Sequence, residues 1–204
     1  DMKKISIIAA LMAVSSGALA SAEDSRGEFV AMMDRSFKTN GIAEKHRMYQ
    51  LDFQKECSVE KDPPKKVMQA IEAAQLKTIR YPADGKYLGD WKNGEKLAQN
   101  GRGMTWTDAS AAPKDNGANC YNCHQIDKKE ISYGTIGPSL YNYGKLRGVK
   151  DVADPASAAI VQYTWGKLWN SKAYAACSNM PRFGHMGLLN EDQLRHVMAL
   201  LLDP

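Results

Sequence analysis

Cys120-Tyr121-Asn122-Cys123-His124 is the stretch on which the reading of this chain turns. Residues three apart on a helical turn share a face, so both thiols point the same way and the adjoining imidazole can follow them. This is the spacing that attaches one haem through its two vinyl groups and sets a histidine on its iron. Two other uses of C-x-x-C compete. A zinc site wants a second ligand pair at similar spacing, and only Cys57 and Cys177 remain, singly. A thioredoxin-type pair wants a βαβ setting, which the flanking sequence lacks. The motif predicts one covalently bound haem c, held by Cys120 and Cys123, with His124 as an axial ligand.

Further along the chain, Gly137-Pro138 offers a backbone carbonyl that can accept the His124 Nδ1–H, fixing the ring and making it a better donor. Met180-Pro181 offers the second axial ligand. Pro181 cannot continue a helix, so the pair reads as a loop that turns a thioether inward. His185 and Met186 follow in the same loop and are rival donors. Histidine with methionine gives a haem of raised potential suited to passing electrons.

The flanks read as helices, with loops between those of Glu28 to Tyr81. Glu28 to Lys38 carries Phe29, Val30, Met33 and Phe37, and Ile42 to Cys57 is charged with Met48, Leu51 and Phe53 as apolar contacts. Pro63-Pro64 opens a clearer helix through Val67, Ala70, Ile71 and Ala74. Tyr81-Pro82-Ala83-Asp84-Gly85 is turn chemistry and marks a boundary. Beyond it, Trp91, Gly94, Leu97 and Ala98 fall on one helical face. Asp154 caps a helix that runs to Trp169, with Pro155 in its first turn. Asn190 and Gln193 form a capping pair ahead of the stripe Leu194, Val197, Met198 and Leu201.

Met2-Lys3-Lys4, an apolar run from Ile5 to Leu19 and the small residues Ala18, Ala20 and Ala22 read as a secretory signal peptide. The run is shorter than the ~20 residues a membrane-spanning helix needs. The expected mature chain is exported to the periplasm and has no membrane span. The 27 Lys and Arg against 23 Asp and Glu leave a mild surplus without any basic run, which argues against nucleic-acid binding. A hydrophobic fraction of 44% excludes a disordered chain.

The order helix, C-x-x-C-H, Gly-Pro, Met-Pro, C-terminal helix resembles a class I cytochrome c. The resemblance implies an all-α fold in which an N-terminal helix crosses a C-terminal one beside the haem, with Gly94 at the close approach. The layout is then a signal peptide over residues 1–22, a helical N-terminal extension over 23–85 and a cytochrome c domain over 86–204.

A narrower likeness rests on Gly137-Pro138-Ser139-Leu140-Tyr141-Asn142-Tyr143-Gly144-Lys145-Leu146-Arg147-Gly148, on Cys177-Ser178-Asn179-Met180-Pro181-Arg182-Phe183-Gly184-His185 and on the C-terminal Leu200-Leu201-Leu202-Asp203-Pro204. Together these resemble SoxX, the small cytochrome subunit of the SoxAX complex of thiosulfate oxidation. The resemblance covers about Trp91 to the C-terminus. It implies a heterodimer with a SoxA-like haem subunit that acts as an L-cysteine S-thiosulfotransferase. That complex couples thiosulfate to a cysteine of a SoxYZ-like carrier, and a soluble cytochrome c accepts the electrons. The sulfur chemistry belongs to the partner subunit, so no residue of this chain is expected to be catalytic. Carried over, Cys120, Cys123, His124 and Met180 hold the haem. A free-standing electron carrier of the same fold is the alternative; a peroxidase-like haem would need an open sixth position, against which Met180-Pro181 speaks.

Two cysteines lie outside the motif. Export and parity favour a disulfide between Cys57 and Cys177, which would restrain the Met180 loop. Two buried thiols, or a reactive Cys177 at a partner interface, are the competing readings. Lys128, Lys129, Lys145, Arg147 and Lys150 come from segments near the haem in this fold and could steer an acidic partner.

Overall fold

The computed structural model describes residues 27–202; the signal-peptide reading of residues 1–22 lies outside the described residues. Among the described residues seven helices follow one another: α1 (27–36), α2 (Asp52–Cys57), α3 (Lys65–Leu76), α4 (Trp91–Gln99), α5 (Tyr143–Leu146), α6 (Ala158–Trp169) and α7 (Glu191–Leu202), with short 3₁₀ turns between several of them. Among the described residues there is no strand, only an isolated bridge between Asn40 and Ala43. The fold is all-α.

The frame is the crossing of α4 over α7. Asn190 Oδ1 accepts the Gln193 backbone N–H and Gln193 Oε1 accepts that of Asn190, both at 2.9 Å, so two otherwise orphaned donors at the start of α7 are satisfied. The stripe Leu194, Val197, Met198 and Leu201 is buried, each side chain contributing about 1.5–3 kcal/mol of hydrophobic stabilisation. The backbones meet at Gly94, where a Cβ would lie 2.7 Å from the carbonyl carbon of His196 and closer still to its oxygen. Nothing larger than glycine fits there. Asp90 caps α4 through the Asn93 N–H at 2.8 Å, and its own N–H donates to His196 Nδ1 at 2.8 Å. The entry to α4 is thus bolted to α7.

Two expected elements differ. Trp91 lies outward and exposed, while Gly94 and Ala98 carry the buried face of α4. The charged region 42–57, part of a stretch that reads as helices with loops, has little helix. It is a 3₁₀ turn at Lys45–Met48 and the six-residue α2, neither burying a residue. So short and charged a segment has no apolar face large enough to hold a longer helix.

α6 carries the second half of the core. Asp154 Oδ1 accepts the Ala156 N–H at 2.9 Å, Pro155–Ser157 form a 3₁₀ turn, and α6 continues from it. Trp165 is fully buried and stacks near Trp169, with ring centroids 6.3 Å apart.

The N-terminal extension packs onto this helix. Trp165 Nε1 donates to the Arg80 carbonyl at 2.7 Å and Trp169 Nε1 to that of Thr78 at 2.9 Å. Asn170 Nδ2, wholly buried, reaches Gln75 Oε1 at 2.9 Å and Thr78 Oγ1 at 2.8 Å. Ile79 of the extension packs against the same apolar cluster as α7, beside Tyr87 and Leu88 just beyond it. Arg195 of α7 clasps Asp84 at 2.8 Å. The end of the extension is therefore packed directly against the core of the haem-motif region, on either side of the turn at residues 81–85.

Candidate functional site

Cys120–Asn122 is a 3₁₀ turn preceded by Asn119 in the left-handed region at φ 50°, a conformation asparagine tolerates. The Cys123 N–H bonds the Cys120 carbonyl at 3.1 Å and the His124 N–H bonds it at 2.9 Å. The loop is thus wound tightly enough to bring both thiols and the imidazole to one cavity. The thiols are free rather than joined to each other. Burial pushes Cys120 up to about 12, so the thiol is held neutral rather than as the thiolate of a redox pair. Among the described residues no cluster of three His, Cys, Asp or Glu side chains stands ready for a metal.

His124 is held from behind. Its Nδ1 donates to the Pro138 carbonyl at 2.7 Å, which leaves Nε2 with the free lone pair. Gly137 makes room for this: a Cβ there would stand 2.7 Å from His124 Nε2 and nearer still to Cε1. The Gly-Pro pair is a turn that sets the tautomer of one imidazole.

The cavity encloses about 500 Å³, within the range of small-molecule and cofactor sites. Cys120, Cys123, His124, Pro138 and Met180 all line it. The remaining walls are largely apolar, with Leu140, Leu168, Val197 and Leu201 among them. Two thiols, one oriented imidazole and one thioether around a greasy cavity fit a covalently attached haem. His185 and Met186 do not line the cavity and lie at the surface, so the structure separates them from Met180. Partial desolvation of its ring, and then Arg182 and Arg80 nearby, lower the pKa of His185.

The Met180 loop is fixed by groups that the sequence pattern did not single out. Ser171 Oγ donates to the Met180 carbonyl at 2.5 Å, and the Met180 N–H donates to Ser178 Oγ at 3.2 Å. Lys172 Nζ donates to the Ser178 carbonyl. Arg182, buried, donates to Gln75 Oε1 at 3.2 Å and stands over the Phe53 ring at 4.9 Å. The Ala176 N–H donates to Glu72 Oε1 at 3.2 Å. Cys57 and Cys177 are joined, with Cα atoms 5.4 Å apart. Phe53, Cys57, Glu72 and Gln75 all belong to the extension, so α2 and α3 brace the loop from outside. The legible hint was Glu72 and Gln75 three apart on α3, polar groups on a helix face that also needs to pack.

None of the five basic residues Lys128, Lys129, Lys145, Arg147 and Lys150 lines the cavity. Lys128 sits over the Tyr141 ring at 4.7 Å and Arg147 over Tyr143 at 4.4 Å.

An all-α frame around such a cavity defines a c-type cytochrome, a protein that carries electrons on a covalently bound haem. The chain belongs to the cytochrome c family, whose model matches residues 92–203. It is also 34% identical over 157 residues to a protein of Aquifex aeolicus (strain VF5) described as "Uncharacterized lipoprotein", covering 74% of this chain and 69% of that protein. A match of that extent is longer than residues 92–203, so the similarity reaches into the N-terminal extension. Among the described residues no helix is long and apolar enough to cross a membrane.

When bound, the haem supplies a one-electron couple. Cys120 and Cys123 would attach it, while the chain orients His124 by the Pro138 carbonyl and lines the cavity largely with apolar side chains. Excluding water there limits the reorganisation that accompanies a change of charge.

Proposed function

We propose that His124 and Met180 ligate the haem iron, and that the exported protein is the electron-transfer subunit of a SoxAX-like periplasmic complex. A SoxA-like haem subunit is its partner, and a soluble cytochrome c takes the electrons. In that complex thiosulfate is joined to a carrier-protein thiol, with two electrons and one proton released, and the haem of this chain takes the electrons one at a time. The observation that carries this reading is the use of all four cysteines. Two face the haem cavity in the attachment motif, and two are paired with each other. No thiol is left to hold a sulfur intermediate, which supports placing that chemistry on the partner. The likeness of residues 137–148 and 177–185 to SoxX supports the choice of complex.

The test is reconstitution. The isolated protein mixed with thiosulfate, a reduced SoxYZ-like carrier and ferricytochrome c should give only background reduction, and adding a SoxA-like subunit should start turnover. Robust turnover by this chain alone would move the sulfur chemistry onto it. Failure of any second haem subunit to co-purify or stimulate turnover would favour a free-standing electron carrier.

A further inference from the structure

Among the described residues, Lys167 of α6 is the only ionisable nitrogen besides His124 that lines the largely apolar haem cavity. Its Nζ donates to the Ser171 carbonyl at 3.4 Å, and the Ser171 hydroxyl donates to the Met180 carbonyl. The ammonium is therefore tied to the loop that presents Met180. Two more cations stand behind it. Lys172 Nζ is bonded to the Ser178 carbonyl and lies 5.8 Å from the Phe53 ring, and Arg182 is buried against Gln75 and Phe53. None of the three has a carboxylate within ion-pair distance among the described residues.

Their charges meet at Lys172. Burial lowers the pKa of Lys172 first, and Arg182 and Lys167 lower it further. Burial likewise lowers that of Lys167, against the opposing pull of Glu72. Glu72 belongs to α3 of the extension and is held by the Ala176 N–H. The result is a patch of net positive charge on the Met180 side of the cavity, offset by one carboxylate from the extension.

Losing an electron adds one positive charge to the cavity, and charges in a poorly screened interior interact strongly. We infer that Lys167, with Lys172 behind it, biases the bound haem toward its reduced state, and that Glu72 of the extension opposes them. Lys167 and Glu72 are positioning charges that set the electron affinity, and the extension acts as a tuner of the site as well as a brace. This rests on haem occupancy and not on the SoxAX assignment.

The test is a spectroelectrochemical titration of the haem-loaded protein. At a fixed ambient potential, Lys167→Met should lower the ferrous-to-ferric ratio about threefold to tenfold, and Lys172→Met should lower it by less. Glu72→Gln, which keeps the acceptor for Ala176, should raise it about threefold. A tenfold change corresponds to a shift of about 59 mV for a one-electron couple. Lys167→Arg, which keeps the charge, should stay within about twofold of the parent. The opposite signs are the signature, because loosened packing alone would move the variants the same way. Shifts of one sign for Lys172→Met and Glu72→Gln, or no shift in Lys167→Met and Lys172→Met, would overturn the inference. A parent protein lacking the far-red thioether-to-iron band would defeat His/Met ligation while leaving the signed shifts to be read on their own.

Discussion

Opening the Cys57–Cys177 bond isolates what the extension contributes to stability. The bond closes a loop spanning 120 residues. On the chain-entropy account a loop of that length constrains the unfolded chain by about 5 kcal/mol at 25 °C. That is comparable to a large part of the total stability of an ordinary domain, about 5–15 kcal/mol. Not all of it need be lost. The hydrogen bonds from Trp165, Trp169, Asn170 and Arg182 to residues 75–80 persist without the bond, so the folded state keeps its docking geometry. The double variant Cys57→Ser, Cys177→Ser should therefore fold with its haem and lose about 3–5 kcal/mol in guanidinium unfolding followed by far-UV circular dichroism. Thiol labelling of the denatured, unreduced parent should find no reactive thiol, with two appearing after reduction. A loss under about 1 kcal/mol, or two labelled thiols in the unreduced parent, would refute the reasoning.

Two further perturbations probe other parts of the frame. Gly94→Ala drives a methyl group into the His196 carbonyl and against Leu200 Cβ at 3.0 Å. It should cost about 3 kcal/mol or more, since helix backbone must move, and a thermal midpoint unchanged from the parent would contradict the crossing described. The Lys86 backbone N–H, and secondarily the Arg195 guanidinium, hold the Asp84 carboxyl below the ordinary carboxylate range. A depressed folded-state pKa stabilises above the unfolded value and is lost as pH falls through the folded one, so the clasp to α7 should weaken only in strong acid. Asp84→Asn should flatten that acid limb in a pH series of unfolding midpoints, and an unaltered limb would show the clasp to be idle.

The parts of the molecule legible in the sequence are those governed by local chemistry. The capping pair Asn190 and Gln193, the cap at Asp154 and the buried stripe of α7 each depend on residues within a few positions of one another. The His124–Pro138 hydrogen bond was legible for the same reason, since a rigid Gly-Pro turn lies close after the motif. The brace on the Met180 loop was not. Its contacts join residues about a hundred positions apart, such as Glu72 with Ala176 and Gln75 with Arg182, and they use polar side chains whose partners no periodicity specifies. Trp91 misled because an aromatic residue at helical spacing reads as core, whereas here the close approach at Gly94 and Ala98 sets the buried face. Lys167 went unnoticed because a lone lysine in an apolar helix reads as a solvated side chain until its neighbours are known.

The central claim is that Met180, carried on a loop braced by the extension, completes with His124 the axial coordination of a haem attached through Cys120 and Cys123. Its most direct test is the far-red absorption of the oxidised, haem-loaded protein, where sulfur-to-iron charge transfer gives a weak band for thioether ligation. The parent should show the band. Met180→Ala should lose it while keeping its covalent haem, with His185→Ala and Met186→Ala unchanged. A band that survives in Met180→Ala, or disappears in Met186→Ala instead, would contradict the account.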